Sequence, residues 1–185
     1  MAALATLCVA LAGCGPQGPD PPDPGPSARS GPARTPPALA TLTGRGVGPY
    51  VVGAGLDALG SADALANVKT ARGCPDFITA DAGGPYFGTV TIVFFKKKIS
   101  WITISSALVS TVEGARVGLT MAAVRGIYGT KANKLNDGRG ATALGVRDGT
   151  GTGLIFRAES GGTVGSIDAG TYDTLEARFV EGEGC

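Results

Sequence analysis

Two segments lying 65 residues apart share one pattern, and a chain made of two copies of a unit must bury the faces that neither copy can bury alone. Gly53-Ala54-Gly55-Leu56-Asp57-Ala58-Leu59 aligns with Gly118-Leu119-Thr120-Met121-Ala122-Ala123-Val124, and each follows a valine-rich approach. In the second copy Thr120 suits a helix N-cap, Met121, Val124 and Tyr128 recur at i, i+3 and i+7, and Gly129 can end the helix. The first copy places Leu56 and Leu59 on one face and Asp57 in the first turn, with Gly60 lowering its helix propensity.

Downstream, both copies change to a period of two. Val90, Ile92 and Phe94 alternate with Thr89, Thr91 and Val93, the chain reverses near Lys96-Lys97-Lys98, and Ile99 to Ile104 returns as a hairpin. In the second copy Ala141 to Val146, a turn at Arg147-Asp148-Gly149-Thr150, Leu154-Ile155-Phe156 and Thr163 to Ile167 follow in the same order. With Phe77 to Ala80 as the first strand of copy one, each unit reads helix, strand, strand, strand. The expected fold is therefore α+β: two tandem units, about 46–108 and 110–170, with helices on one face of an antiparallel sheet.

The repeats lie within a globular region at 39–185, long enough for one domain with a hydrophobic core. Residues 1–13 are read as a signal peptide, because Met1 to Ala12 is uncharged, almost wholly apolar and too short to span a bilayer. Its end, Leu11-Ala12-Gly13-Cys14, resembles the bacterial lipobox, which implies cleavage before Cys14 and a diacylglycerol on its thiol. The pattern's basic residue is missing after Met1, which an upstream translation start would supply. Residues 14–38 then form a tether: Gly15 to Pro37 holds nine prolines, four glycines and no large apolar side chain, so burial cannot offset the entropy of ordering it. Extended as polyproline II, it reaches roughly 70 Å. The expected location is the extracytoplasmic face of the cell membrane, with the bilayer held through acylated Cys14.

At Val117-Gly118-Leu119-Thr120-Met121-Ala122-Ala123-Val124 the sequence resembles the "GMTxxxV" helix start of proteins of the β-lactamase-inhibitory-protein and BamE kind, with Leu119 replacing the usual Met. Those secreted proteins and lipoproteins set a helical segment against a small antiparallel sheet and bind other proteins. The Ala/Gly/Arg-rich style, lipobox and proline tether also resemble uncharacterised envelope lipoproteins of high-GC bacteria.

Chemistry is constrained by what the chain lacks. It has no histidine, which removes Ser-His-Asp and Cys-His catalysis and imidazole metal ligation. A net charge of +1, from 16 basic and 15 acidic residues, provides no field to draw in nucleic acid. No cofactor or metal is expected. The Gly53-x-Gly55-x-x-Ala58 spacing matches a dinucleotide fingerprint but precedes hairpins, not βαβ crossovers, and reads better as a tight strand-to-helix corner. Asn136-Asp137-Gly138 lacks the remaining ligands of a calcium loop and reads as a turn. Asp168 with Asp173 or Glu176 is the nearest approach to an acid–base pair, and no spacing singles it out.

With Cys8 removed and Cys14 acylated, Cys74 and Cys185 are left to form one bridge in an oxidising compartment. Closing a loop of about 110 residues contributes roughly 4 to 5 kcal/mol in the loop-entropy model. A reactive thiol at Cys74 is the alternative, without a neighbouring base in the sequence. Contacts with a partner are sought at Lys96, Lys97 and Lys98, otherwise a solvated hairpin tip, and at Trp101 with Tyr86 and Phe87, which make an aromatic patch if that sheet face is open and core if it is not. The functional expectation is a non-enzymatic, membrane-tethered lipoprotein that binds another envelope or secreted protein as inhibitor or adaptor. The alternative is a carboxylate-dependent enzyme or a binder of cell-wall polymers.

Overall fold

The computed structural model describes residues 40–182. The segments expected to be a signal peptide and a proline tether, Cys14 and Cys185 lie outside the described residues. Chain order begins with three short strands, β1 (Ala40–Thr43), β2 (Gly46–Val47) and β3 (Tyr50–Val51), and a six-residue helix α1 (Leu56–Ser61). A four-strand meander follows, β4 (Leu65–Ala71), β5 (Cys74–Ala82), β6 (Val90–Phe95) and β7 (Lys98–Ile104). After β8 (Val109–Thr111) comes α2 (Met121–Tyr128), and then a second meander of β9 (Ala132–Asn136), β10 (Thr142–Arg147), β11 (Thr152–Ala158) and β12 (Val164–Thr171). Helix α3 (Tyr172–Glu181) ends the described chain.

The expected α+β class is overturned. The described residues are mostly β, with twelve strands in an eight-stranded antiparallel sheet ordered β4-β5-β6-β7-β12-β11-β10-β9 and a four-stranded sheet ordered β3-β2-β1-β8. Each unit contributes four strands to the large sheet, not three. Nor do the helices share one face: α1 and α2 bury Leu59, Val124 and Tyr128 in one core, whereas α3 buries Leu175 and Phe179 in another. Alternation along the strands explains the two cores. Ile92, Phe94, Ile102, Ile104 and Phe156 point one way, towards Leu42, Val47 and Tyr50 of the small sheet, and Val93, Trp101 and Ile155 point the other way, under α3.

A 65-residue offset runs through the hydrogen bonding. The Gly53 N–H donates to the Ile99 carbonyl as Gly118 does to Val164, both at 2.8 Å, and Leu56 donates to Lys97 as Met121 does to Gly162. Both return strands bulge at matching places. Phe94 and Val93 face Ile99 and Trp101, leaving Ser100 extra, and Ala158 and Arg157 face Val164 and Ser166, leaving Gly165 extra. The first bulge moves Trp101 onto the face opposite Ile99. The meanders join where β7 meets β12, and at the centre of that junction the Thr103 hydroxyl donates to the Asp168 carboxylate at 2.7 Å.

Local signals placed α2 well. The Thr120 hydroxyl accepts the Ala123 N–H at 3.1 Å, which satisfies one of the donors left open at a helix start, and Gly129 leaves the helix at φ 56°.

Candidate functional site

β6 and β7 are joined by only Lys96 and Lys97, a two-residue reversal in which both residues take positive φ, 49° and 62°. This geometry suits Asn-Gly, because glycine has no Cβ and the short asparagine side chain hydrogen-bonds locally, whereas other side chains there cost about 1–2 kcal/mol per residue. The matching reversal before β12 holds Gly161 and Gly162, at 108° and 77°. One repeat thus uses the residues the backbone prefers, and the other keeps two lysines against that preference. The tip is braced: the Lys96 N–H donates to the Asp76 carbonyl at 2.9 Å and the Lys97 carbonyl accepts from Leu56 at 2.8 Å. Lys97 Nζ lies 3.9 Å from the Asp57 carboxylate, an exposed pair that contributes little. Replacing Lys96-Lys97 by Asn-Gly is expected to raise the unfolding free energy by about 1 kcal/mol, with no loss of fold. Urea denaturation measures it, and a drop in stability would mean that the lysine side chains support the fold.

Beside this tip a groove of about 770 Å³ opens between the sheet and α3. Its floor is aromatic. Phe77 of β5 lies 4.9 Å from Phe95 and 6.1 Å from Trp101, centroid to centroid, so three strands supply one run of rings. Cations sit at both ends, with the Arg178 guanidinium 3.7 Å over Trp101 and Lys96 Nζ 5.1 Å over Phe95. Asp173, Thr174 and Glu181 of α3 form the polar wall. Trp101 is almost closed off at 5% exposure, whereas Phe95 stands open at 39%.

The expected patch of Trp101, Tyr86 and Phe87 does not assemble. Tyr86 packs edge-on against Tyr50 at 5.5 Å in the other core, and Phe87 is exposed in the loop between β5 and β6. Lys96 sits over Phe95 of the aromatic groove, Lys97 turns to Asp57, and Lys98 is the cross-strand partner of Phe95. Sequence reasoning missed Phe77, Phe95 and Arg178. Phe95 continues the outward phase of Thr91 and Val93, and Arg178 rides on a helix whose Tyr172, Leu175 and Phe179 recur at i, i+3 and i+7.

The nominated carboxylates are each occupied. Asp168, 2% exposed, accepts from Arg157 Nε at 2.6 Å and from Thr103 at 2.7 Å, while Arg147 holds both Asp173 at 2.7 Å and Glu176 at 3.0 Å. Asp137 closes the β9–β10 turn, and the backbone N–H groups of Arg139 and Ala141 hold its carboxyl below its ordinary value. A second cavity, about 520 Å³, is lined by Tyr128 among others; burial pushes this phenol up, and its hydroxyl lies 2.8 Å from Thr111 Oγ1 and 2.9 Å from Glu113. Among the described residues no cluster of three or more acidic, histidine or cysteine side chains is placed to hold a metal. Gly53 and Gly55 stand between β3 and α1, and β3 pairs antiparallel with β2, so no βαβ unit surrounds them. Cys74 opens β5 and is engaged, not free. No family model, curated protein or solved structure matches this chain.

Proposed function

We propose that this is a non-catalytic protein-binding domain. More particularly, it is a lipid-tethered extracytoplasmic inhibitor or adaptor, held to the membrane by acylated Cys14 and stapled by a Cys74–Cys185 bridge. The observation that carries the binding assignment is the pair of lysines kept at positive φ beside an open aromatic groove, where the other repeat has Gly161-Gly162. Strain retained at one of two equivalent places is accounted for by what those side chains do outside the fold. Partly exposed rings flanked by cations also have the composition that dominates protein interfaces. The ion pairs that occupy Asp168, Asp173 and Glu176 leave the carboxylate-enzyme alternative without a free acid–base pair among them.

A photocrosslinking residue at Phe95 in native cells is expected to capture a defined protein partner, and one at Phe87 is not. Asn-Gly at Lys96-Lys97, which preserves the turn, should abolish the Phe95 adduct. Cys14→Ser should release the chain from the membrane fraction. An undiminished adduct in the Asn-Gly chain would remove the lysine tip from the interface, and an unchanged membrane fraction would remove the lipid anchor.

A further inference from the structure

The eight-stranded sheet has two outer strands, and they are not alike. β4 carries register shifts between Ala66 and Lys69 and between Thr70 and Ala71, and Asn67 sits at φ 51°. Such irregularities turn an edge away from any added strand. β9 occupies the same place in the second repeat and keeps five unbroken pairs with β10, from Asn136↔Thr142 to Ala132↔Val146. Among the described residues no strand covers its outer side.

Charge distinguishes the two edges as well. Lys134 lies at the centre of β9, Lys131 just before it and Arg125 on the neighbouring turn of α2; all three are exposed. None of them forms an ion pair among the described residues. Their counterparts 65 residues earlier are Lys69, Ala66 and Gly60, so Lys131 and Arg125 have no basic equivalent beside β4. Arg125 and Lys134 also line a cleft of about 320 Å³ beside Met121, Ala122 and Leu144, which gives an incoming side chain an apolar seat between two positive charges.

We propose that β9 takes an extended, acidic segment of a partner protein as a ninth strand, with carboxylates facing Lys134, Arg125 and Lys131. Backbone hydrogen bonds along the regular edge supply affinity, and alternate side chains supply selectivity. A second copy of this chain is the wrong occupant. Lys134 is the middle residue of β9, so the two-fold antiparallel pair of β9 strands with full overlap sets Lys134 opposite Lys134, and like charges directly opposite one another destabilise such a pair. The same lysine that guards against self-association selects an acidic strand. This edge is separate from the aromatic groove, so the two can fail independently.

The test is amide hydrogen exchange on the full chain, titrated with a synthetic heptapeptide alternating glutamate and valine. Binding is expected to slow exchange within residues 132–136 at least tenfold and to leave β4 unchanged. Lys134→Glu with Arg125→Glu should weaken binding by at least tenfold, whereas Lys69→Glu on the other edge should not. Two control peptides on the unsubstituted chain keep the test decisive: a lysine–valine heptapeptide, and the glutamate–valine peptide N-methylated at alternate backbone nitrogens. Equal binding of either control would overturn the proposal, the second by showing that the basic edge merely collects polyanions. Protection appearing on β4, or none at millimolar peptide, would overturn it too.

Discussion

Arg157→Ala is expected to destabilise the domain by about 3 kcal/mol or more, and to cost clearly more than Asp168→Ala. Asp168 is the one nearly inaccessible carboxylate of the central junction, with its side chain 3% exposed, while the Arg157 side chain is 32% exposed and reaches the surface. Removing the arginine leaves the 3%-exposed carboxylate with the Thr103 hydroxyl as its remaining side-chain donor. Removing the aspartate frees a guanidinium that can turn towards solvent while staying against the Phe179 ring, from which it lies 5.5 Å. The loss should then be about 1–2 kcal/mol. Urea unfolding of the two single variants measures the asymmetry. Equal effects, or an Arg157→Ala variant within about 1 kcal/mol of the parent, would show that water reaches Asp168 and that the pair contributes little.

This pair also marks where the two repeats part company. Arg157 faces Ser166 across the second bulge as Val93 faces Trp101 across the first. One side of the junction is therefore apolar and the other ionic, although the backbone around them is duplicated. Such differences were hard to read in advance. The hairpin of β6 and β7, the strands β10 and β11 and helix α2 were legible because alternation or i, i+3, i+7 spacing there has to satisfy a buried face. β4, with the sequence LANVKTA, and β9, with ANKLN, are outer strands paired on one side only among the described residues, and their mostly exposed residues carry no such demand. Missing them left each unit one strand short. With α3 also unread, the sequence pointed to helices on one face of the sheet, when the third helix in fact covers the other.

The candidate site was half visible for a related reason. A run of three lysines announces itself, but the strain at Lys96 and Lys97 exists only once the turn is known to have two residues. Phe77 and Trp101 are 24 positions apart and meet because β5, β6 and β7 are neighbours in the sheet. Arg178 could be placed over Trp101 only after α3 was. Asp173 and Glu176, weighed as chemistry, instead belong to the polar side of that helix and bind Arg147.

What fixes α3 on the sheet is a seat made of missing side chains, and filling it should be nearly as costly as removing Arg157. Tyr172, the first residue of the helix and 1% exposed, lies over Gly145 of β10 and Gly153 of β11, with the Arg147 guanidinium 4.0 Å from its ring centroid. A Cβ on Gly145 would run into the Tyr172 hydroxyl, and one on Gly153 would run into the Val146 carbonyl and the Tyr172 ring. The Tyr172 ring could swing away only by leaving its burial, and the Val146 carbonyl is held in the sheet. Gly153→Ala is therefore expected to cost about 2–3 kcal/mol by overpacking. Because Trp101, the only tryptophan, is roofed by α3 through Arg178, loosening the helix should also shift tryptophan emission to the red. Tyr172→Ala carries its own large-to-small penalty, but in its background Gly153→Ala should lose about 1–2 kcal/mol of its cost, which a double-mutant cycle reads directly. A Gly153→Ala protein with parental stability and unshifted emission would mean that the helix is held by Leu175 and Phe179 alone.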